Sequence, residues 1–218
     1  MAKGVTMEVW GDYALFSRPE LKTERYSYDV ITPSAARGIL DSIYFHPGMK
    51  WMVDKIHVLN PIVFTNLRRN EVKQKTSANS VLSAINGHDT PLYISSTENI
   101  VQRASTLLKD VRYVIEAHFE LTDKMSPTDS EEKFYAMSME RIKKGKHYSQ
   151  PYFGCREFTA YYSLCKRSQI QTAHSGTKNL GLMLYDMDYS DPENIMPIFF
   201  RAVMQDGVID IKNCEVYK

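Results

Sequence analysis

Alternation of apolar and polar residues opens the chain. Val5, Met7 and Val9 alternate with Thr6, Glu8 and Trp10, predicting a half-buried strand that continues through Gly11 and Asp12 to Phe16. Thr32-Pro33 reads as a helix start, with Thr as N-cap and Pro at the first helical position. Ala36, Ile39, Leu40 and Ile43 form its apolar face, and His46-Pro47-Gly48 ends it. A second strand is expected over about 52–64, with Ile56 and Val58 on one face, Lys55 and His57 on the other, and Pro61 at an edge or bulge. Residues 66–90 are polar and read as a long loop or a mobile hairpin, and 97–109 as a short helix with Val101, Ala104 and Leu108 on one side.

The clearest strand is 111–121, where Val111, Tyr113, Ile115, Ala117, Phe119 and Leu121 share one face and Arg112, Glu116, His118 and Glu120 the other. A helix follows at about 130–144, opened by Ser130-Glu131-Glu132 and closed by Lys143-Lys144-Gly145, charges that suit its two ends. Another strand is expected at 153–165, then tail strands near 180–188, 196–204 and 207–212 with a tight turn at Gln205-Asp206-Gly207. The order through residue 165 is β-α-β, an insertion, then β-α-β. This is the ferredoxin-like order, giving an α+β fold over 1–165 with a basic insertion at about 66–90, followed by a small antiparallel sheet at 166–218.

Composition narrows the function classes. The chain has 218 residues, 43% hydrophobic, and a net charge of +1, which excludes a disordered tail and a protein that coats nucleic acid by bulk charge. The apolar runs are too short to span a bilayer, and Met-Ala-Lys-Gly-Val-Thr-Met-Glu at the N-terminus has no apolar secretory core, so a cytoplasmic protein is expected. Cys155, Cys165 and Cys214 form no metal or disulfide pattern and read as reduced thiols. No Walker loop, zinc-protease helix or nucleophile elbow is present, nor the aromatic signature of RNA-recognition modules, so no cofactor is expected.

Two basic clusters stand out: Arg68, Arg69, Lys73 and Lys75 in the polar stretch, and Arg141, Lys143, Lys144 and Lys146 at the end of the second helix, followed by His147 and Tyr148. They fit a solvated face, or phosphate binding with aromatic stacking. Asp186, Asp188, Asp191 and Glu193 read as a solvated turn rather than a metal site. RNA can be cut without a metal, because its own 2′-OH attacks the adjacent phosphate. The protein then supplies a base, a cation for the phosphorane and a proton for the leaving 5′-oxygen. Tyr, Lys and His suffice. A tyrosine at pH 7 is only about 0.1% ionised, so it needs a neighbouring Lys or acts by orienting the hydroxyl.

The stretches Val9-Trp-Gly-Asp-Tyr-Ala-Leu-Phe16, Glu24–Val30, Thr32-Pro-Ser-Ala-Ala-Arg-Gly-Ile-Leu40, Asp54–Ile62, Arg68–Val72, Gln150-Pro-Tyr-Phe-Gly-Cys-Arg-Glu-Phe158 and Met183–Tyr189 carry a resemblance. In this order they closely resemble the type I-C CRISPR-associated endoribonucleases of the RAMP superfamily, over roughly 5–215. The resemblance implies a ferredoxin-like domain with a small antiparallel C-terminal domain. It implies metal-independent cutting of CRISPR precursor RNA at the base of the repeat hairpin, and retention on the 5′ handle of the mature guide RNA. The large and backbone subunits of the type I-C interference complex are the implied protein partners, and duplex DNA without sequence preference a further one, as in some relatives.

The family's catalytic set is a Tyr at the end of the first helix and a Lys-His pair near the start of the second. By the motif match the Tyr falls on Tyr44 and the Lys on Lys133, while the His position holds Phe134, which cannot transfer a proton. Lys146-His147 repeats the pair out of register, making His147 a substitute candidate, whereas His46 and His118 read as ordinary hydrogen-bonded histidines. In this scheme Tyr44 orients or deprotonates the 2′-OH, Lys133 stabilises the phosphorane, and the two basic clusters hold the RNA backbone. Phe134→His should speed cleavage. The alternative is a non-catalytic or weakly catalytic subunit that binds the guide-RNA handle, a reading that Phe134 favours. An unrelated small-molecule enzyme finds no supporting motif.

Overall fold

The computed structural model describes residues 3–21, 24–89 and 91–218. The first two residues of the N-terminal segment and the last of the stretch 66–90 therefore lie outside it. Strand β1 (Gly4–Ala14) buries Val5, Met7 and Val9, as the alternation predicts. After the two-residue β2 (Arg25–Tyr26) comes helix α1 (Pro33–Ile43). Thr32 Oγ1 accepts the Ala35 N–H at 3.2 Å, a cap worth about 1 kcal/mol. Ala36, Ile39, Leu40 and Ile43 are all buried.

The expected strand at 52–64 divides into β3 (Met49–Val58) and β4 (Val63–Val72), with Pro61, which has no N–H for a ladder, in the break. The stretch 66–90 is not one loop. Its first part is the rest of β4, and helix α2 (Ala78–Ile85) follows, with no buried residue. The helix expected at 97–109 is instead the first half of β5, a single strand Ile100–Leu121 of 22 residues. Its 101–109 part alternates after all, but Val101, Arg103, Ser105 and Leu107 share the inner face, and the two polar members hide the period. Pairing with β4 along its whole length outweighs the helical spacing of three apolar residues.

Helix α3 (Glu131–Lys144) has the expected ends, with Ser130 Oγ accepting the Lys133 N–H at 3.2 Å and Gly145 left-handed at the C-cap. The strand expected at 153–165 shrinks to β6 (Tyr161–Leu164). Residues before it turn on themselves: Phe153 donates to the Phe158 carbonyl at 2.8 Å, and Leu15 donates to that of Phe153 at 3.1 Å. Gly154 makes this possible, since it has φ +80° and a Cβ there would lie 1.9 Å from the Leu15 carbonyl oxygen. The tail holds β7 (Thr177–Asp188), β8 (Met196–Gln205), β9 (Val208–Asp210) and β10 (Val216–Tyr217).

The architecture is α+β, with three α-helices among the described residues and a mostly antiparallel sheet. Its central strand is β5, which pairs with β1 on one side and β3 on the other, in the order β6-β1-β5-β3. The far half of β5 carries β4 and the parallel β2, and β9 joins the tail to β3. Helices α1 and α3 touch each other and cover the apolar face, α1 on β3 and β7, α3 on β1 and β6. Trp51, Phe119 and Phe134 meet edge to face beneath them.

Candidate active site

The end of α1 and the start of α3 bring two of the sequence-predicted catalytic residues, Tyr44 and Lys133, into one region. Tyr44 leaves the helix in an extended conformation (φ −146°) while its N–H still bonds to Leu40, and its carbonyl accepts the Trp51 indole N–H at 2.9 Å. The ring is 7% exposed, with the Arg141 guanidinium 5.5 Å above its centroid and the Phe134 ring at 6.5 Å. Arg141 is itself held by the Ile43 carbonyl at 3.1 Å. Burial pushes the Tyr44 phenol above its ordinary pKa, although Lys133 and Arg141 pull the other way. Near neutral pH the group is a hydroxyl, suited to orienting a partner rather than acting as a phenolate base.

Lys133 stands in the first turn of α3, with its ammonium 2.9 Å from Asp129 Oδ1 and 3.4 Å from the Thr128 carbonyl. The Asp129 side chain is only 1% exposed, and its other oxygen accepts the Ser126 N–H at 2.9 Å. Lys133 and that N–H hold the carboxyl down to about 2. A third group joins them: His46 Nε2 lies 3.6 Å from Asp129 Oδ2, and its ring packs 4.8 Å from that of Phe134. Sequence reasoning passed over both His46 and Asp129. The one signal available was that His46 follows two residues after Tyr44 in the turn closing α1.

Phe134 is fully buried among His46, Tyr44 and Phe119. It is a core residue, and a proton carrier at this position would face other rings. His147 lies elsewhere, exposed, with Nδ1 3.2 Å from the Tyr162 hydroxyl. It lines a cavity of about 490 Å³ with Met137, Glu140, Arg141 and Lys146, so its link to Tyr44 runs through Arg141.

The basic residues scatter. Arg68 is exposed on β4, but Arg69 faces the other way, its guanidinium 5.1 Å from the centroid of the Phe158 ring and ion-paired with Glu157. Lys73 and Lys75 are exposed just beyond β4. Lys143 and Lys146 are exposed too, while Lys144 pairs with Glu140 at 2.6 Å. Arg25 and Arg103, both against Glu71, extend the charge on the Arg69 face, and only strand pairing reveals them. Asp186 takes Arg37, Asp188 takes Lys218, and His118 is bonded to Asp54 at 2.9 Å. Among the described residues no group of three His, Cys, Asp or Glu side chains is placed to hold a metal, and no helix is long and apolar enough to cross a membrane.

Comparison with known proteins follows the geometry. The CRISPR-associated protein family Cas_Cas5d matches residues 4–212. The CRISPR pre-crRNA endoribonuclease Cas5d of Mannheimia succiniciproducens is 44% identical over 218 residues, which cover 97% of this chain and 96% of the relative. The protein of the same name from Thermus thermophilus is 34% identical over 97% of this chain and 94% of its own. Among solved structures, one described as a CRISPR-associated protein superposes with a TM-score of 0.71 at 23% identity, over 100% of this chain and 97% of the other. A chain of a CRISPR RNA-guided surveillance complex does so with a TM-score of 0.52 at 10% identity, over 99% and 89%. At these identities the structural likeness speaks to the fold alone.

Proposed function

The chain belongs to the Cas5d family of CRISPR-associated proteins, and from that we propose that it is a metal-independent endoribonuclease for CRISPR precursor RNA. The observation that carries the reading is Tyr44 at the end of α1, with Arg141 from the last turn of α3 over its ring and Lys133 from the first turn of α3 close enough to act on its phenol electrostatically. The 2′-oxygen attacks the adjacent phosphorus as its proton passes to solvent water, and the bond to the 5′-oxygen breaks as that oxygen takes a proton from water, leaving a 2′,3′-cyclic phosphate and a 5′-hydroxyl. Tyr44, a neutral phenol, orients the 2′-OH. Lys133 leaves its salt bridge with Asp129 in part to meet the phosphorane, and Arg141 adds positive charge beside the tyrosine. Arg68, Lys73, Lys75, Lys143 and Lys146 hold the RNA backbone.

The strand order β6-β1-β5-β3 with its two helices supports a ferredoxin-like core over 1–165, and 166–218 a small antiparallel unit. On this reading the protein works in the cytoplasm and cuts at the base of the repeat hairpin. It then stays on the 5′ handle, beside the large and backbone subunits of an interference complex, with duplex DNA as a further non-specific ligand. The relatives named as pre-crRNA endoribonucleases support the RNA substrate.

The test is a cleavage gel with labelled cognate repeat RNA in EDTA. Product ending in a 2′,3′-cyclic phosphate is expected, and a 2′-deoxy sugar at the cut site should leave the RNA bound and whole. Normal cutting of the deoxy substrate would overturn the mechanism. One observation favours a second reading, a handle-binding subunit with little or no activity: the position of the family's histidine is a fully buried phenylalanine. Shifted but intact RNA on the same gel selects it.

A further inference from the structure

His46 does more than close a turn. Its Nδ1 accepts the Gly48 N–H at 3.0 Å. A nitrogen that accepts carries no proton, so the proton of the neutral ring sits on Nε2. Nε2 lies 3.6 Å from Asp129 Oδ2, beyond hydrogen-bond length. The His46 side chain is 32% exposed, so part of the ring faces solvent. The ring's pose is fixed on two sides. Phe134 packs against its face, and Gly48 has no room for a Cβ, which would lie 3.1 Å from His46 Nδ1 and 3.1 Å from the Met125 Cα.

An oriented N–H donor thus stands beside Asp129 and Lys133, two residues from Tyr44. Resting on the reading that these groups cut RNA, we infer that His46 Nε2–H donates a hydrogen bond to a non-bridging oxygen of the scissile phosphate. It brings an imidazole from α1's exit to the place where position 134 offers only a phenyl ring. The role is that of a donor rather than a general acid. A proton-giving imidazolium would carry a second N–H on Nδ1, facing the Gly48 N–H head on. Phe134 completes the arrangement as the shelf under the ring. Asp129 lies beside the proton-bearing edge, and its negative charge is met by Lys133 and Ser126.

Two amide substitutions separate the ring's two nitrogens. His46→Asn keeps an acceptor for Gly48 near Nδ1 but removes the donor at Nε2, and His46→Gln does the reverse. Single-turnover cleavage of repeat RNA by His46→Asn should slow by about 10²-fold, the usual effect of losing one donor to a developing oxyanion, with RNA affinity within twofold of wild type. His46→Gln should regain much of the rate. A phosphorothioate at the scissile phosphate should slow the wild type in one stereoisomer, and that selectivity should be lost in His46→Asn. His46→Asn cutting at the wild-type rate overturns the inference, as does a His46→Gln variant slower than His46→Asn, which would assign the ring to the Gly48 turn. Wild type, His46→Asn and Tyr44→Phe are run together. A wild type that cuts normally while Tyr44→Phe is slow leaves the ribonuclease reading standing whatever His46 does. A wild type that cuts nothing sinks both.

Discussion

The guanidinium of Arg141, in the last turn of α3, lies 5.5 Å above the ring of Tyr44, the residue at which α1 ends. The C-terminal ends of the two helices are thereby joined beside the Tyr44 ring. Tyr44→Phe keeps the ring under Arg141 and against Phe134, so folding should be unchanged. Single-turnover cleavage should fall by about 10²–10⁴-fold with RNA affinity intact. An unchanged rate would remove Tyr44 from the chemistry.

Asp129 titrates at about 2, below its ordinary value of 3.8, because Lys133 and the Ser126 N–H favour the carboxylate. A carboxyl whose folded pKa is depressed adds stability above its unfolded pKa and loses it as pH falls through the folded one. Asp129→Asn should therefore be less stable than wild type above about pH 4. The gap should close between about pH 4 and 2. Urea denaturation of both proteins across that range checks the sign, and a gap that widens in acid would contradict the assignment.

Phe134→His is a core substitution here, not a repair of the site. The sequence suggests that one neutral ring would replace another beside Lys133 and speed cleavage. The buried position, ringed by Phe119, Tyr44 and His46, says otherwise. An imidazole there leaves a polar nitrogen without a partner, at a cost of about 1–3 kcal/mol. The variant should unfold at lower urea and cut no faster than wild type, as equilibrium denaturation and single-turnover assays would read.

Neighbouring arginines should behave differently toward RNA. Arg68 is exposed, and Arg68→Ala should lower the slope of log affinity against log salt by about 0.7. Arg69 is taken by Glu157 and Phe158, so Arg69→Ala should leave the slope alone and weaken the fold. Filter binding over a salt series distinguishes them, and equal slopes for both variants would return Arg69 to the RNA-binding set.

Much of this was legible in the chain where local chemistry decides. Val5, Met7 and Val9, the Thr32-Pro33 start and the Ser130 and Gly145 caps each carry their structure in neighbouring residues. Position 103 does not. An arginine on the inner face of β5 is tolerated because β4 and Glu71 are there to receive it, and both come from elsewhere in the sequence. His46 was illegible for the same reason. Its meaning depends on a backbone N–H at Gly48, a carboxylate at Asp129 and a phenyl face at Phe134, which only folding assembles. The family pattern pointed to Phe134 as a loss, while its burial makes it a support.

Strand β5 has a consequence for how RNA is measured. One strand, with a left-handed residue at Asp110 (φ +52°), carries the arm bearing Arg68's partner Ala104 towards one end and Phe119, which props Phe134, towards the other. From Ala104 to Phe119 an extended chain spans at most about 50 Å at roughly 3.3 Å per residue. On the proposed roles, the strand is a ruler with the phosphate grip of Arg68 at one mark and the cutting groups at another. Its graduations come in pairs, because inserting one residue would turn every side chain of the arm to the opposite face, while inserting two would lengthen the reach and keep the faces.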